Sequence, residues 1–240
     1  MPYRKQQFAN GEIYHIVIRA IDDNSIFKNI NDYYRGIFSI YEFNNVSPIT
    51  IQSRRRIRVT MKKSFRKDRE RAAIADVRDK IVEIFAFTFM SNHIHLLIRQ
   101  IKDGGITKFM RKLGAGYGGY FNRKYNRKGY VFQNRFLAKI IKNDDQLRVV
   151  FTYIHTNPVA LIEPGWKEKG VKNPKKVIRF LESYKWSSYQ DFIGKKNFPS
   201  VTDRDFISGM IDDEKGCKKL VNSWINHKGK IKRFLDLQLE

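Results

Sequence analysis

A short histidine motif is the sharpest candidate for chemistry in this sequence. His93 and His95 are separated by one apolar residue in the segment "HIHLLIR". If this segment is a β-strand, the two side chains leave the same face. The two Cβ atoms then lie about 6–7 Å apart, and the imidazoles can converge on one divalent metal ion. A pair of purely structural histidines has the same spacing, so the motif alone leaves both interpretations open.

A second candidate lies in the segment 143–158, which has an acidic first turn and a proline stop, both typical of a helix. Tyr153 falls beside the predicted core stripe, and Asn157 follows one turn later on the same face. The stripe itself consists of Leu147, Val150, Phe151 and Ile154. A phenol that reaches an exposed pocket beside a bound metal could attack a phosphodiester. The alternative is that Tyr153 is an amphipathic edge residue and Asn157 only ends the helix.

Basic and aromatic residues alternate between positions 108 and 135. Stacking of bases on rings, with cations on the phosphates, is how proteins grip single strands. The predicted DNA-binding cations are Arg111, Lys112, Arg123, Lys124, Arg127, Lys128 and Arg135. The aromatic residues between them are Tyr117, Tyr120, Phe121, Tyr125, Tyr130 and Phe132. Some of these rings are also expected to belong to the core.

A strongly basic insert occupies residues 45–80. Its cations could bind the phosphates of a DNA backbone, although a solvated charged arm has the same composition. The predicted DNA-binding residues of the insert are Arg54, Arg55, Arg56, Arg58, Lys62 and Lys63.

The elements that must position these residues follow from the apolar periodicity. Strands are predicted at 12–20, 81–90, 93–99 and 129–141, and helices at 31–43, 104–124 and 143–158. Asn31 is the expected cap of the first helix, and Ser91-Asn92 forms a tight hairpin turn. The order predicts an α+β fold, a ferredoxin-like split βαβ antiparallel sheet with helices on one face. Residues 166–240 are expected to form a basic, helical C-terminal extension.

Composition limits the possible classes of protein. The chain has 240 residues, a formal net charge of +23, and 42% hydrophobic and 14% aromatic residues, which excludes a wholly disordered chain. No apolar run is long enough to span a bilayer, and a single cysteine, Cys217, excludes an internal disulfide. The charge favours a polyanionic partner such as nucleic acid. We therefore expect a soluble, cytoplasmic protein that binds DNA and no membrane.

Four segments together resemble one family. "FTFMSNHIHLLI", "YFNRKYNRKGYVFQNRF", "YIHTNPVALIEPG" and "YKWSSY" occur in the order found in the single-tyrosine HUH transposases. The chain is most similar to the REP-associated tyrosine transposases and the related IS200-like transposases. The resemblance covers about residues 8–192 with a gap over the insert. It implies an HUH endonuclease fold, with a catalytic domain at 1–165 and an extension at 166–240.

The resemblance also assigns roles. It implies that His93, His95 and Asn157 bind Mg²⁺ or Mn²⁺, and that Tyr153 attacks DNA to form a 5′-phosphotyrosine link. The implied activity is cleavage and ligation of single-stranded or hairpin DNA in transposition or repeat mobilisation, by a monomer or a homodimer.

Two other functions compete with this reading. One is a domesticated nucleic-acid-binding protein that keeps the fold without the chemistry. The other is a metal-dependent phosphodiesterase in which water attacks, which requires a general base near His93.

Overall fold

The computed structural model describes residues 7–48, 78–211 and 213–226, so most of the basic insert lies outside the described residues. The described strands are β1 (Ile13–Arg19), β2 (Val82–Phe89), β3 (His93–Gln100) and β4 (Leu137–Ile140). The α-helices are α1 (Ile30–Glu42), α2 (Gly105–Lys124), α3 (Asp144–Thr156), α4 (Trp166–Lys169), α5 (Pro174–Ser183), α6 (Tyr189–Phe192), α7 (Asp205–Met210) and α8 (Asp213–Asn226). Short 3₁₀ helices cover Ile21–Asp23 and Asn157–Leu161.

The four strands form one antiparallel sheet in the order β2-β3-β1-β4. With α1 after β1 and α2 after β3, this is the βαββαβ arrangement of a ferredoxin-like fold. The predicted α+β fold class is therefore confirmed.

The sheet has a core on each face. Alternate residues of β1 and β3, such as Ile16 and Leu96, pack with α1 and α2 on one face, as predicted. The structure adds a second layer, because Phe85 and Leu97 pack with α3 and the C-terminal helices on the opposite face. A register shift between Ile84 and Ala86 makes Phe85 a bulge residue, so Phe85 and Ala86 both join this second core.

The segment after α5 pairs with the edge strand β2. The backbone N–H of Phe89 donates to the carbonyl of Trp186 at 2.9 Å, and the N–H of Ser188 donates to that of Phe87 at 3.0 Å. This pairing covers an edge that would otherwise present unpaired backbone groups. Residues on both sides of the expected boundary at 165/166 thus contribute to one core. The boundary itself stays a prediction.

Two local predictions were wrong in detail. The strand expected at 129–141 is reduced to β4, because Ala138 pairs with Ile16 whereas Phe132 bridges to Ala20. The seven residues 132–138 thus oppose the five residues 16–20, and the two extra residues leave the ladder. Among the described helices, none is long and apolar enough to cross a membrane.

The cap of α1 is Asn29 rather than Asn31. The Asn29 side chain accepts hydrogen bonds from the backbone N–H groups of Asn31 and Asp32 at 3.1 and 3.3 Å. The Asp32 carboxylate accepts in return from the N–H of Asn29 at 3.2 Å, which completes a capping box.

Asp32 also joins α1 to α2. Its fully buried carboxylate accepts from the hydroxyls of Tyr120 and Tyr125 at 2.9 and 2.7 Å and pairs with Lys124 at 2.6 Å. Burial alone would raise the pKa of Asp32. Hydrogen bonds from Lys124, Tyr125, Tyr120 and the Lys28 backbone outweigh burial and lower it.

We predict that Asp32→Asn lowers the free energy of unfolding by about 2 kcal/mol at pH 7, because it leaves Lys124 without its buried partner. Urea denaturation measures the change. Since folding lowers the pKa of Asp32, the difference persists above about pH 4 and shrinks as the pH falls through the folded-state pKa. Asp145→Asn, which removes an exposed carboxylate 3.4 Å from Arg148, is the matched control. An equal effect of both substitutions would contradict a specific role for Asp32.

Candidate active site

Three histidines meet on the sheet face that α3 covers. In the antiparallel register of β1 and β3, Val17 lies opposite His95 and Arg19 opposite His93. His15 shares the face of Val17, and its Nε2 lies 3.0 Å from Nδ1 of His95, with the two rings stacked at 5.2 Å between centroids. The strand prediction for the "HIH" segment is confirmed, and His15 extends the pair of histidines to a cluster.

His95 is buried completely, and His93 is half-buried. Burial lowers the pKa of His95 well below its ordinary value, and the nearby positive charges of His93, His15, Lys167 and Arg19 lower it further. The ring of His95 is therefore neutral at neutral pH, which is the form that binds a metal. Within the described part of the chain its Nε2 has no hydrogen-bond partner.

Helix α3 brings Tyr153 against these histidines. Asn143 caps the helix by accepting from the N–H of Gln146 at 2.8 Å, and the predicted apolar stripe packs on the sheet. The Tyr153 ring meets the rings of His15 and His95 edge to face, at 5.9 and 5.7 Å between centroids. Tyr153 is only 2% exposed, so the expectation that it lines an exposed pocket was wrong. The histidines and α3 enclose it because the second face of the sheet is covered.

Lys167 completes the surroundings of the phenol. Its Nζ donates a hydrogen bond to the Tyr153 hydroxyl at 3.0 Å and lies 4.9 Å from the ring centroid. The chain reaches this position through a left-handed turn at Gly165, with φ of 74°, and is anchored by the buried Trp166.

Asn157 lies where its spacing predicts, directly after the last residue of α3. It is buried, and its amide nitrogen lies 3.4 Å from the backbone carbonyl oxygen of Tyr153. The side chain of His93 is oriented by its neighbour, since Nδ1 lies 2.6 Å from Oδ1 of Asn92.

The imidazoles of His93 and His95 are the nitrogen donors that this cluster could offer to a divalent metal ion. Among the described residues, Nε2 of His95 is a buried nitrogen without a hydrogen-bond partner, while Nδ1 of the same ring contacts Nε2 of His15, which fixes the orientation of the ring. In the described ranges no three His, Cys, Asp or Glu side chains form a metal-binding group. The rings of His93 and His95 lie 4.8 Å apart between centroids, whereas the contact of the Asn157 amide is with the Tyr153 carbonyl.

The comparison with protein families decides the relationship. A family model described as "Transposase IS200 like" matches residues 43–157, the span that carries His93, His95, Tyr153 and Asn157. The family named by this match is the one that the four sequence motifs resemble. The resemblance inferred from the sequence is thus confirmed at the level of the family.

A solved structure is also similar to this chain. It is described as "Structure of the REP associates tyrosine transposase bound to a REP hairpin", is 16% identical, and superposes with a TM-score of 0.45. The match covers 85% of this chain and 96% of that chain. Among proteins with curated descriptions, no match is found.

The cations predicted to bind DNA differ in their surroundings: two contact other parts of the fold, and others are exposed. Lys112 donates to backbone carbonyls of the loop after α1, including that of Ser47 at 2.9 Å, and Lys124 pairs with Asp32. These two therefore have roles within the fold. The others in this part are exposed on α2 and the loop after it, namely Arg111, Arg123, Arg127, Lys128 and Arg135. The predicted contacts Arg54, Arg55, Arg56, Arg58, Lys62 and Lys63 lie outside the described residues.

The aromatic residues of the same segment divide likewise. Tyr117, Phe121 and Phe132 are core residues, whereas Tyr130 is 83% exposed beside Lys128. Tyr130 is thus the ring of this group best placed to stack on a base.

The sequence analysis did not identify two residues of the candidate site, His15 and Lys167. The alternation of β1 already placed His15 on the face of Val17 and Arg19, so pairing of β1 with β3 would have identified it. Lys167 has no such signal, because it follows an irregular turn and bears no periodic relation to Tyr153.

Proposed function

We propose that this chain cleaves and rejoins single-stranded DNA through a covalent bond to Tyr153. The observation that carries the proposal is the packing of the Tyr153 ring against His15 and His95, because Tyr153 and His95 both belong to the segment that matches the transposase family model. A phenol held beside two imidazoles suits a nucleophile next to a metal site.

The chemical step is a transesterification. The Tyr153 oxygen attacks a backbone phosphorus, the phenol proton passes to solvent, and a tyrosine O–P bond forms. The P–O3′ bond breaks, and O3′ leaves with a proton as a free 3′-hydroxyl. The downstream strand stays on the protein as a 5′-phosphotyrosine, so the reverse attack by a 3′-hydroxyl rejoins DNA without a nucleotide cofactor.

His93, His95 and Asn157 are the residues that would hold Mg²⁺ or Mn²⁺, and imidazole ligands favour Mn²⁺. Such an ion would draw charge from a phosphate oxygen and orient the phosphodiester. His15 fixes the orientation of the His95 ring through the 3.0 Å contact. Since His93 is half-buried while His95 and Tyr153 are buried, we expect the scissile phosphate to enter from the side of His93.

The test is a covalent-adduct assay with a random-sequence pool of single-stranded DNA and Mn²⁺. A 3′ label should remain with the protein through denaturing electrophoresis, whereas a 5′ label should leave on a fragment that ends in a 3′-hydroxyl. Release of both fragments without an adduct would instead support attack by water.

A second function is favoured by one observation. Tyr153 is 2% exposed and His95 fully buried, as in a packed core that never meets DNA. A binding protein without chemistry would retard the DNA pool in a native gel and leave both labels on intact strands. That outcome would overturn the proposed cleavage.

We also propose that the insert grips the DNA backbone. Replacing Arg54, Arg55 and Arg56 with Ser should weaken binding to all sequences alike. It should also flatten the plot of log affinity against log salt by about 0.7 per lost phosphate contact. Cleavage at saturating DNA should not change, because the site around Tyr153 is untouched.

The control for this titration removes equal charge elsewhere. Lys175, Lys176 and Arg179 are exposed on α5, and replacing them with Ser should leave the salt slope unaltered. If the insert variant has the slope of the unmodified chain, the insert does not contact phosphates.

A further inference from the structure

Lys167 contacts the proposed nucleophile, but the proposed function gives this lysine no role. Lys167 reaches the reacting atom itself, with Nζ 3.0 Å from the Tyr153 hydroxyl oxygen. It also lies over the ring, 4.9 Å from the centroid. A Lys ammonium has only donors, so the Tyr153 oxygen accepts this hydrogen bond.

The placement of Lys167 is built into the chain. Trp166, the preceding residue, is 2% exposed and belongs to the core that contains Tyr153. The backbone of helix α4 closes with a hydrogen bond from the N–H of Gly170 to the carbonyl of Trp166 at 2.8 Å. The four-residue helix therefore holds the lysine against α3 by packing, with Lys169 directed to solvent.

Two cations influence the buried imidazole of His95. Lys167 and Arg19 both lie close enough to disfavour a positive charge on the buried His95. Arg19 is partly compensated by the Asp23 carboxylate 3.4 Å away, whereas the Lys167 ammonium lies on the Tyr153 oxygen itself, where it would favour a developing phenolate. The arrangement is therefore complementary to negative charge at the Tyr153 oxygen.

We propose that Lys167 is a catalytic residue that stabilises the negative charge on the Tyr153 oxygen during strand transfer, an inference that rests on the proposed function. During cleavage, the oxygen loses its proton to solvent and bonds to phosphorus as the P–O3′ bond breaks. Lys167 keeps its own protons and its hydrogen bond throughout. During rejoining, a 3′-hydroxyl loses its proton to solvent and its oxygen bonds to phosphorus as the O–P bond to tyrosine breaks. Lys167 donates a hydrogen bond to the tyrosine oxygen, which takes the electron pair and regains a proton from solvent.

This role has a kinetic signature. A group that stabilises only the charge-separated transition state accelerates both directions equally and leaves the equilibrium between adduct and free DNA unchanged. A group that binds the DNA phosphate in the ground state changes DNA affinity instead. Removal of one preorganised donor to a developing oxyanion costs about 10²–10³-fold in rate.

The experiment compares Lys167→Met, Lys167→Arg and Lys169→Met. Adduct formation is followed in single turnovers at saturating 3′-labelled random single-stranded DNA, and rejoining is followed by adding a strand with a 3′-hydroxyl to purified adduct. We expect Lys167→Met to slow both steps about 100-fold with unchanged DNA affinity and adduct equilibrium. We expect Lys167→Arg to recover most of the rate, and Lys169→Met to match the unmodified chain.

Two outcomes would overturn the inference. One is a Lys167→Met variant within about threefold of the unmodified rate. The other is a loss that is explained wholly by weaker DNA binding or by an altered unfolding midpoint. If the unmodified chain itself forms no adduct, the proposed function fails, which is distinct from failure at Lys167 alone.

Discussion

A Tyr153→Phe variant is expected to form no covalent DNA adduct while it binds single-stranded DNA as tightly as the unmodified chain. The substitution removes one hydroxyl and its hydrogen bond from Lys167, and it keeps the ring that packs against His15 and His95. Without a nucleophilic oxygen the transesterification has no first step, so the rate should fall by on the order of 10⁴-fold or more. Denaturing gels with 3′-labelled DNA measure the adduct, and native gels measure binding.

Tyr130→Phe is the control for this prediction. Tyr130 is the most exposed large apolar side chain in the described residues. Tyr130→Phe removes its hydroxyl and keeps its ring, so adduct formation should remain intact. Tyr120 is a weaker alternative nucleophile, because its hydroxyl donates to the buried Asp32 at 2.9 Å. An adduct that persists in Tyr153→Phe would show that another tyrosine attacks DNA.

The sheet was accessible from the sequence because its strands carry a clear pattern. β2 is almost continuously apolar, which fits a strand that is covered on both faces, and β3 alternates so that His93 and His95 share a face. A short turn between them leaves one way to pair these strands. From there the order of helices and strands is enough to select a ferredoxin-like fold.

The interior position of the site could not be predicted in the same way. A helical pattern places Tyr153 at the edge of a stripe, but exposure of that edge depends on what the chain adds after Pro164. The segment from Trp166 to Asn226 contributes the second layer through long-range contacts that leave no periodic signal. Lys167 enters the site for the same reason.

His155 shows why chemistry cannot be assigned by residue type alone. It lies two residues from Tyr153 on α3, yet its Nε2 is 2.8 Å from the hydroxyl oxygen of Ser188, within the C-terminal layer. Burial lowers the pKa of His155 to about 3. This imidazole holds α3 to the segment that covers β2, and it faces away from the histidine cluster.

His93 and His95, unlike His155, are the proposed metal ligands, so their removal should have a large effect on cleavage. His93→Ala and His95→Ala should each lose metal-dependent cleavage by at least about 10²-fold, because each removes one of two imidazole ligands. Calorimetric titration with Mn²⁺ should show the loss of binding directly. His93 is half-buried, so His93→Ala should change the free energy of unfolding little. His95 is fully buried, so His95→Ala should lower the free energy of unfolding by about 2 kcal/mol.

His155→Ala separates loss of a ligand from loss of a buried ring. It removes an imidazole that is as buried as that of His95, so it should destabilise the chain to a similar degree and still bind Mn²⁺. His93→Ala should keep near-normal stability and lose metal binding, whereas His155→Ala should lose stability and keep metal binding. The two variants together therefore distinguish a metal ligand from a packing residue. Retention of Mn²⁺ binding and cleavage by His93→Ala or His95→Ala would rule out a two-histidine metal site, and the cluster would then be explained by packing alone.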